Sequence, residues 1–423
     1  MLKKVKIDFE KNFGILLIFL IFYLTILIGF YLNEDNLGGA IKDSVHHFKI
    51  VEKFNDDFLG TLKNFGDPAH GIQTRNSPVF WMFLSVFSEY LSFENIRLIN
   101  TLISILIVFT FYKCLTLKFK DQNNFVLVIL SSSLFLSPTL RSLAIWPYSL
   151  VWGLFFLLIS IYFFLKFNES ICIKKSFLIL FFTILSAYFY PSFSVFYIYF
   201  LIKIYKNLTN KKLILILLFL STFLSLPAIY YVVSKNVIYV FQTSQGLETS
   251  ILETLNLSNK ILIIGTIFLY LILPVVNFKK IYLEIKNFNL LTILFISTFC
   301  FINIYFFNFP DAVWGGGFFH KLSNLLFDNN YFFFISAFIS FLIIYSMMYK
   351  NLNNLVLLVL LVIYNPQFTI YIKYFDPLIF IIFFTLFDLD FKNHFFNRKS
   401  KYIQLYLVFG FYYLVIFGKQ IIA

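Results

Sequence analysis

Runs of mostly apolar residues, many of them long enough to cross a bilayer, recur along this chain from end to end. A crossing helix needs roughly 20 such residues, and inside lipid every backbone N–H and C=O must find a protein partner. A helix satisfies its backbone locally, so a chain built of such runs is confined to one class, an all-α polytopic transmembrane helix bundle. Charged residues fill 13% of the 423 positions and hydrophobic ones 60%, whereas soluble domains carry roughly 25% charged residues. A length that would otherwise suggest two or three soluble domains is therefore read as one membrane domain, 1–423.

Apolar runs bounded by charge clusters predict about thirteen spans. Their cores lie near 14–32, 96–116, 124–138, 147–165, 176–191, 193–206, 212–234, 259–277, 288–308, 331–349, 353–367, 373–388 and 402–418. The first follows Lys3, Lys4, Lys6 and Lys11 and has no clear small-residue cleavage site, which reads as a retained signal anchor. The net charge of +13 does not indicate nucleic acid, because the basic residues sit in short clusters between apolar runs. With the N-terminus inside, alternate loops collect Lys118 and Lys120; Lys166, Lys174 and Lys175; Lys203, Lys206, Lys211 and Lys212; Lys279, Lys280 and Lys286; Lys350; and Lys392, Arg398, Lys399 and Lys401. That asymmetry is the mark of cytoplasmic loops. The expected location is a bacterial inner membrane with a cytoplasmic N-terminus. Cys114, Cys172 and Cys300 are far apart and read as neither a metal site nor a disulfide framework.

The largest outside loop, 33–95, holds Glu34, Asp35, Asp43, Glu52, Asp56, Asp57 and Asp67 with His46, His47 and His70. Asp43 and His46 share a face if their segment is helical. A carboxylate set against an acceptor hydroxyl acts as a general base, and neighbouring His or Lys side chains hold phosphate or move protons. The same spacing also suits an ordinary solvated acidic loop. Ser77-Pro78 reads as a helix start, followed over 79–92 by an amphipathic helix with Trp81 at headgroup level. Arg141 and Trp146 fall in a tight outside loop, with Trp146 read as an interfacial anchor. In loop 309–330, Gly315 to Gly317 read either as a flexible turn or as an anion-binding nest beside His320 and Lys321. Lys373 and Asp376 open a late span from the outside, at 366–377, and Lys373 runs against the charge trend. No phosphate-binding Gly-Lys-Ser loop, zinc-binding helix or nucleophile elbow occurs.

The order of these features resembles the multispanning, lipid-linked-sugar-dependent glycosyltransferases of the GT-C superfamily. Asp43-Ser44-Val45-His46 matches an acidic first-loop motif of the type Asp-Glu-x-x-His, with Ser44 in place of the second acid. Asp67-Pro68 to Ser77-Pro78-Val79-Phe80-Trp81 matches a Pro-containing entry to an amphipathic helix. Arg97-Leu98-Ile99-Asn100 matches the Arg-Leu-x-Asn opening of the second span. Lys373-Tyr374-Phe375-Asp376-Pro377 matches a late Arg-Tyr-x-x-Pro segment, with Lys for Arg. The resemblance covers about 30–140 and 364–390.

It implies transfer of a sugar from a polyprenyl-phosphate-linked donor to a glycan, lipid or protein acceptor at the extracytoplasmic face. Asp43, His46 and Asp35 are the implied catalytic residues, Glu34-Asp35 being the rival acidic pair. His47, Arg75, Arg141, His320, Lys321, Lys373 and Tyr374 are the implied binding residues. A divalent metal is compatible with this chemistry but not required by the sequence, and no metal ligands are assigned. Two other readings fit a chain of this class: a surface-polysaccharide polymerase, whose arginines usually gather in large later outside loops, and a lipid-linked-glycan flippase, which needs paired halves and charges inside its spans.

Overall fold

A computed structural model of the chain describes residues 2–35, 39–72, 76–234, 256–310, 315–349, 351–389, 395–396 and 398–422. Arg75, Trp314, Lys350, Lys392 and most of the expected outside loop at 235–258 lie outside the described residues. Among those described, every regular element is a helix. The expected membrane domain is built as two compact units, 1–235 with 402–423, and 236–401.

The chain is an integral membrane protein by its apolar helices, but it does not have the thirteen spans expected. Among the described residues, five helices are long and apolar enough to cross, Gly14–Tyr31, Phe93–Lys118, Ser149–Glu169, Lys211–Tyr231 and Tyr331–Met348; counting each of two bent pairs as one crossing gives up to seven. Helix length accounts for the difference. Several apolar runs fold into helices too short to span: Leu352–Ile363 has 12 residues and Leu378–Thr385 has 8. At the α-helical rise, 12 residues reach about 18 Å, well short of a hydrocarbon core of about 30 Å. Local breakers that an apolar count ignores end these helices. Asn351 and Asn289 cap new helices with their side chains, and Pro191 opens a 3-10 turn inside an apolar stretch.

In the first unit, α1 (Leu2–Tyr31) leads into a folded loop of three short helices, α2 (Ala40–Asp56), α3 (Phe58–Lys63) and α4 (Val79–Ser88). Then come α5 (Phe93–Lys118), α6 (Asn124–Ser132), α7 (Pro138–Ile145), α8 (Ser149–Glu169), α9 (Ile173–Phe189), α10 (Val195–Asn207) and α11 (Lys211–Ser234). The loop packs against the long helices through a core of Ile50, Val51, Phe54, Phe65, Ile72, Phe80, Trp81, Leu84, Ile96 and Phe189. Trp81 is therefore a core residue with no exposed surface, where an interfacial position was expected. Facing away from the core, α1 exposes Leu16, Leu17, Leu20, Ile21, Leu24 and Ile28, and α11 exposes Leu215, Ile216, Phe219, Phe223 and Leu226. Contiguous apolar faces of that size suit lipid rather than water.

The second unit comprises α12 (Leu257–Ile272), α13 (Phe278–Lys286), α14 (Leu290–Tyr305), α15 (Gly317–Phe327), α16 (Tyr331–Met348), α17 (Leu352–Ile363) and α18 (Leu378–Thr385). Its central element is α12, which packs against α14, α15, α16, α17 and α18. The last helix, α19 (Lys399–Ile422), belongs to the first unit from Tyr402 onward. Tyr406 there donates to the Ile129 carbonyl at 2.7 Å.

Candidate functional site

The C-terminal end of α1 is tied to the break between α6 and α7. Asn124–Leu136 and Pro138–Ile145 meet at a 64° bend. Ser137 caps the new helix through the Leu140 N–H, with Pro138 in its first turn. Arg141 projects from this short helix into an enclosed space with no solvent exposure. Its Nε donates to Glu34 Oε1 at 2.7 Å and its Nη2 to Glu34 Oε2 at 2.6 Å. The other guanidinium bonds go to Thr25 Oγ1 and the Thr25 carbonyl, each at 2.8 Å, to the Phe135 carbonyl at 3.2 Å and to the Tyr413 hydroxyl at 3.3 Å. The Tyr413 ring lies 4.3 Å from the guanidinium carbon. A charge pair in an apolar bundle holds only when geometry and hydrogen bonding are this complete. Gly29 makes room for it, because a Cβ there would collide with Glu34 Oε2.

Arg97 and Asn100, one helical turn apart on α5, finish the same junction. A short helix leaves its last carbonyls without helical partners. Asn100 Nδ2 donates to the carbonyls of Leu143 and Ala144 at 3.1 and 2.6 Å, and Arg97 Nε reaches that of Ile145 at 3.4 Å. The Arg97 guanidinium stacks 3.4 Å from the Trp146 ring centre and bonds Glu94 and Asn33. Trp146 Nε1 donates to the Glu34 carbonyl at 3.0 Å. Trp146 is thus a buried tie rather than the interfacial anchor expected. The Arg-Leu-x-Asn segment has a local physical task, satisfying the carboxyl end of α7, and Arg141, expected to hold donor phosphate, is engaged by protein groups on all sides.

The acidic loop begins directly beyond this latch. Asp35 accepts from the backbone N–H groups of Gly39, Ala40 and Ile41 at 3.0, 3.0 and 3.3 Å. It therefore fixes the entry to α2. The helix expected around Asp43 and His46 forms, and its buried stripe is Ala40, Ser44, His47, Ile50, Val51 and Phe54. On that surface Asp43 lies between His46, which is exposed, and His47, which is buried, while Asp43 itself is half-buried. His47 contacts the Trp81 ring edge-on at 5.1 Å and the Tyr148 ring at 5.0 Å. Among the described residues, Ser44 Oγ, one turn before His47 on α2, Trp81 Nε1, and Ser149 Oγ, next to Tyr148 in the chain, are buried without a hydrogen-bond partner. Buried polar atoms left unsatisfied in one neighbourhood are uncommon and costly. The sequence singles out Ser44 only as the replacement of an acid and Trp81 only as an interfacial residue, and Ser149 not at all, since an isolated Ser in an apolar run carries no signal of its own.

In the second unit, Gly316 donates its N–H to the Ile370 carbonyl at 3.0 Å, which seats the start of α15 against segment 365–376. Gly316 has φ 84, and a Cβ there would press on His320 Nδ1. His320 is buried among the rings of Phe307, Phe309 and Phe333, with centroids 5.8, 5.5 and 5.3 Å away. Lys321 is exposed. Lys373 is half-buried, its ammonium 5.2 Å from the Tyr371 ring centre. Tyr374 is buried and donates to Gln367 Oε1 at 3.2 Å. Among the described residues no three His, Cys, Asp or Glu side chains come together as metal ligands. Compared with known family models, with curated proteins and with solved structures, the chain matches none.

Proposed function

We propose that this chain is a membrane glycosyltransferase that takes a sugar from a polyprenyl-phosphate-linked donor and passes it to a hydroxyl of a glycan, lipid or protein acceptor at the extracytoplasmic face of a bacterial inner membrane. The reading rests on the half-buried Asp43 standing at the rim of the unsatisfied polar group around His47. A sugar or acceptor supplies hydroxyls of the kind that Ser44, Trp81 and Ser149 lack as partners, and an aromatic wall suits the apolar face of a pyranose. Asp43 accepts the acceptor's proton as its oxygen bonds to the anomeric carbon. The bond from that carbon to the phosphate oxygen breaks, and polyprenyl phosphate departs with the electron pair. The developing phosphate charge calls for a cation, and the late-span motif carried by the resemblance offers Lys373 for it.

Purified protein incubated with a panel of polyprenyl-phosphate sugars is expected to release free polyprenyl phosphate from at least one of them in the presence of acceptor. No release from any donor, together with movement of intact lipid-linked glycan across vesicles, would replace this reading with the carrier one. Lys373→Ala is expected to weaken donor binding, and Lys373→Arg to keep much of it, although the two cations differ in geometry. Unchanged donor affinity and turnover in Lys373→Ala removes that residue from the site.

The orientation follows the Lys clusters and has a direct check. In a Cys172→Ala background, needed because Cys172 is exposed, a membrane-impermeant thiol reagent applied outside is expected to label Asn55→Cys and to miss Asn210→Cys. Both positions are exposed in the fold. The reverse pattern inverts the topology.

A further inference from the structure

The second unit holds a short helix set nearly at right angles to the helix that follows it. Asn277 caps the start of α13 through the Lys280 N–H, and Asn289 caps the start of α14 through the Thr292 N–H. The chain therefore stops one helix and begins the next within residues 287–289. The two axes differ in direction by 110°. α14 exposes Leu290, Leu291, Leu294 and Phe295, an apolar face that suits lipid. With α14 directed into the hydrocarbon, α13 lies along the surface where α14 enters.

The faces of α13 are sorted to match. α13 packs against α16, and of its apolar residues Ile281 is buried and Ile285 half-buried. Phe288, just past its end, meets the Tyr345 ring of α16 edge-on at 5.4 Å. The other side presents Phe278, Tyr282 and Leu283 at 48, 65 and 50% exposure, and Lys279 and Lys286 are exposed among them. At 3.6 residues per turn these five side chains fall within one half of the helix surface. Glu284, the acid of this helix, falls on the flank one turn from Lys280, outside that half. Lys401 adds a cation at the amino end, its ammonium 2.8 Å from the Val276 carbonyl and 5.9 Å from the Phe278 ring centre. Aromatic and aliphatic side chains interleaved with lysines suit the boundary between acyl chains and headgroups. The apolar groups dip below it while the ammoniums reach up to phosphate. Lysines with no acid on their face complement a negatively charged surface.

We infer that α13 is an interfacial helix whose Lys279 and Lys286 hold the headgroup phosphates of anionic phospholipids in the surrounding bilayer. With the orientation proposed above, this is the cytoplasmic leaflet. The inference stands apart from sugar transfer, since its readout is lipid contact, and a chain that transfers no sugar still tests it. Full-length protein in a Cys172→Ala background carries a fluorophore on Leu283→Cys; Cys114 and Cys300 are buried. It is reconstituted in phosphatidylcholine nanodiscs with increasing fractions of a lipid bearing a nitroxide near the top of its acyl chain. The labelled lipid is phosphatidylglycerol in one series and phosphatidylcholine in the other.

Both labelled lipids are expected to quench the fluorophore, and phosphatidylglycerol should do so at an about fivefold lower fraction, the preference that one lysine near an anionic surface supplies. Lys279→Gln with Lys286→Gln should remove most of that difference. Quenching by phosphatidylcholine should stay as in the parent, which shows the helix still in place. Lys174→Gln, a charge loss at an exposed position of the first unit, should keep the full preference. In the parent itself, raised ionic strength should shrink the preference, because exposed charges are screened. Absence of quenching by both lipids would set the face against water, a second copy of the chain or another protein, and overturns the inference. Equal quenching by both lipids in the parent overturns it as well, as does a preference undiminished both in the double variant and at high salt.

Discussion

Arg141→Met is expected to cost roughly 3–5 kcal/mol of stability, the scale for removing one partner of a buried ion pair. The loss exceeds what the broken bonds alone would suggest. The two charge-assisted bonds to Glu34 disappear, and the Glu34 carboxylate, which has no exposed surface, is left enclosed without its counter-charge. Thr25 and Phe135 lose donors as well. Removing both charges behaves differently. Glu34→Leu with Arg141→Met leaves no orphaned ion and should recover much of the loss, because buried ion pairs are often replaceable by apolar side chains of similar volume. Denaturant unfolding of purified protein in micelles, run on both single variants and the double, measures the coupling directly. A single-variant loss under about 1 kcal/mol would show that the pair is far better solvated than its geometry implies.

The helical class was legible in the sequence because lipid leaves a backbone few choices, and composition reports lipid. The number of crossings was not legible in the same way. An apolar run reports that a segment avoids water, but not whether it avoids water by facing lipid or by packing inside protein. Leu378–Thr385, with every residue buried, is of the second kind. The break at Ser137-Pro138 could have been read from the cap-plus-proline pair, which starts a helix as surely inside an apolar stretch as at a surface.

The candidate site divides along similar lines. Asp35, Asp43, His46 and His47 stood out because they are charged or titratable residues in an otherwise apolar chain. Their separate geometric positions, with Asp35 at the cap, Asp43 on the rim and His47 within, depend on where α2 starts and which face it buries. Arg141 and Glu34 were each visible in the sequence, but their partnership bridges 107 residues, and no local pattern encodes it. Lys260 was hidden by the opposite effect. A single lysine at the edge of an apolar run usually snorkels to water, whereas this one, in the first turn of α12, keeps 3% of its surface exposed.

Asp43→Asn is expected to lower sugar transfer by roughly 10²–10⁴-fold, the usual effect of losing a general base. The amide keeps the size and one acceptor oxygen of the carboxylate but takes up no proton. Asp43 is half-buried in the first turn of α2, so the fold should tolerate the change within about 0.5 kcal/mol, and an unchanged unfolding midpoint would assign the lost rate to chemistry. The rival base is Asp35, which makes Asp35→Asn the natural companion. Its carboxylate already accepts three backbone N–H groups at the start of α2, an arrangement that leaves little acceptor capacity for a substrate proton. Asn still caps a helix well, so Asp35→Asn should keep most of the transfer rate and most of the stability. If Asp35→Asn abolishes transfer while Asp43→Asn remains active, the base is Asp35 and the alignment of Asp43-Ser44-Val45-His46 with an acidic motif is mistaken. If both variants transfer sugar at the parental rate, neither carboxylate moves the proton, and the glycosyltransferase assignment loses its chemical basis.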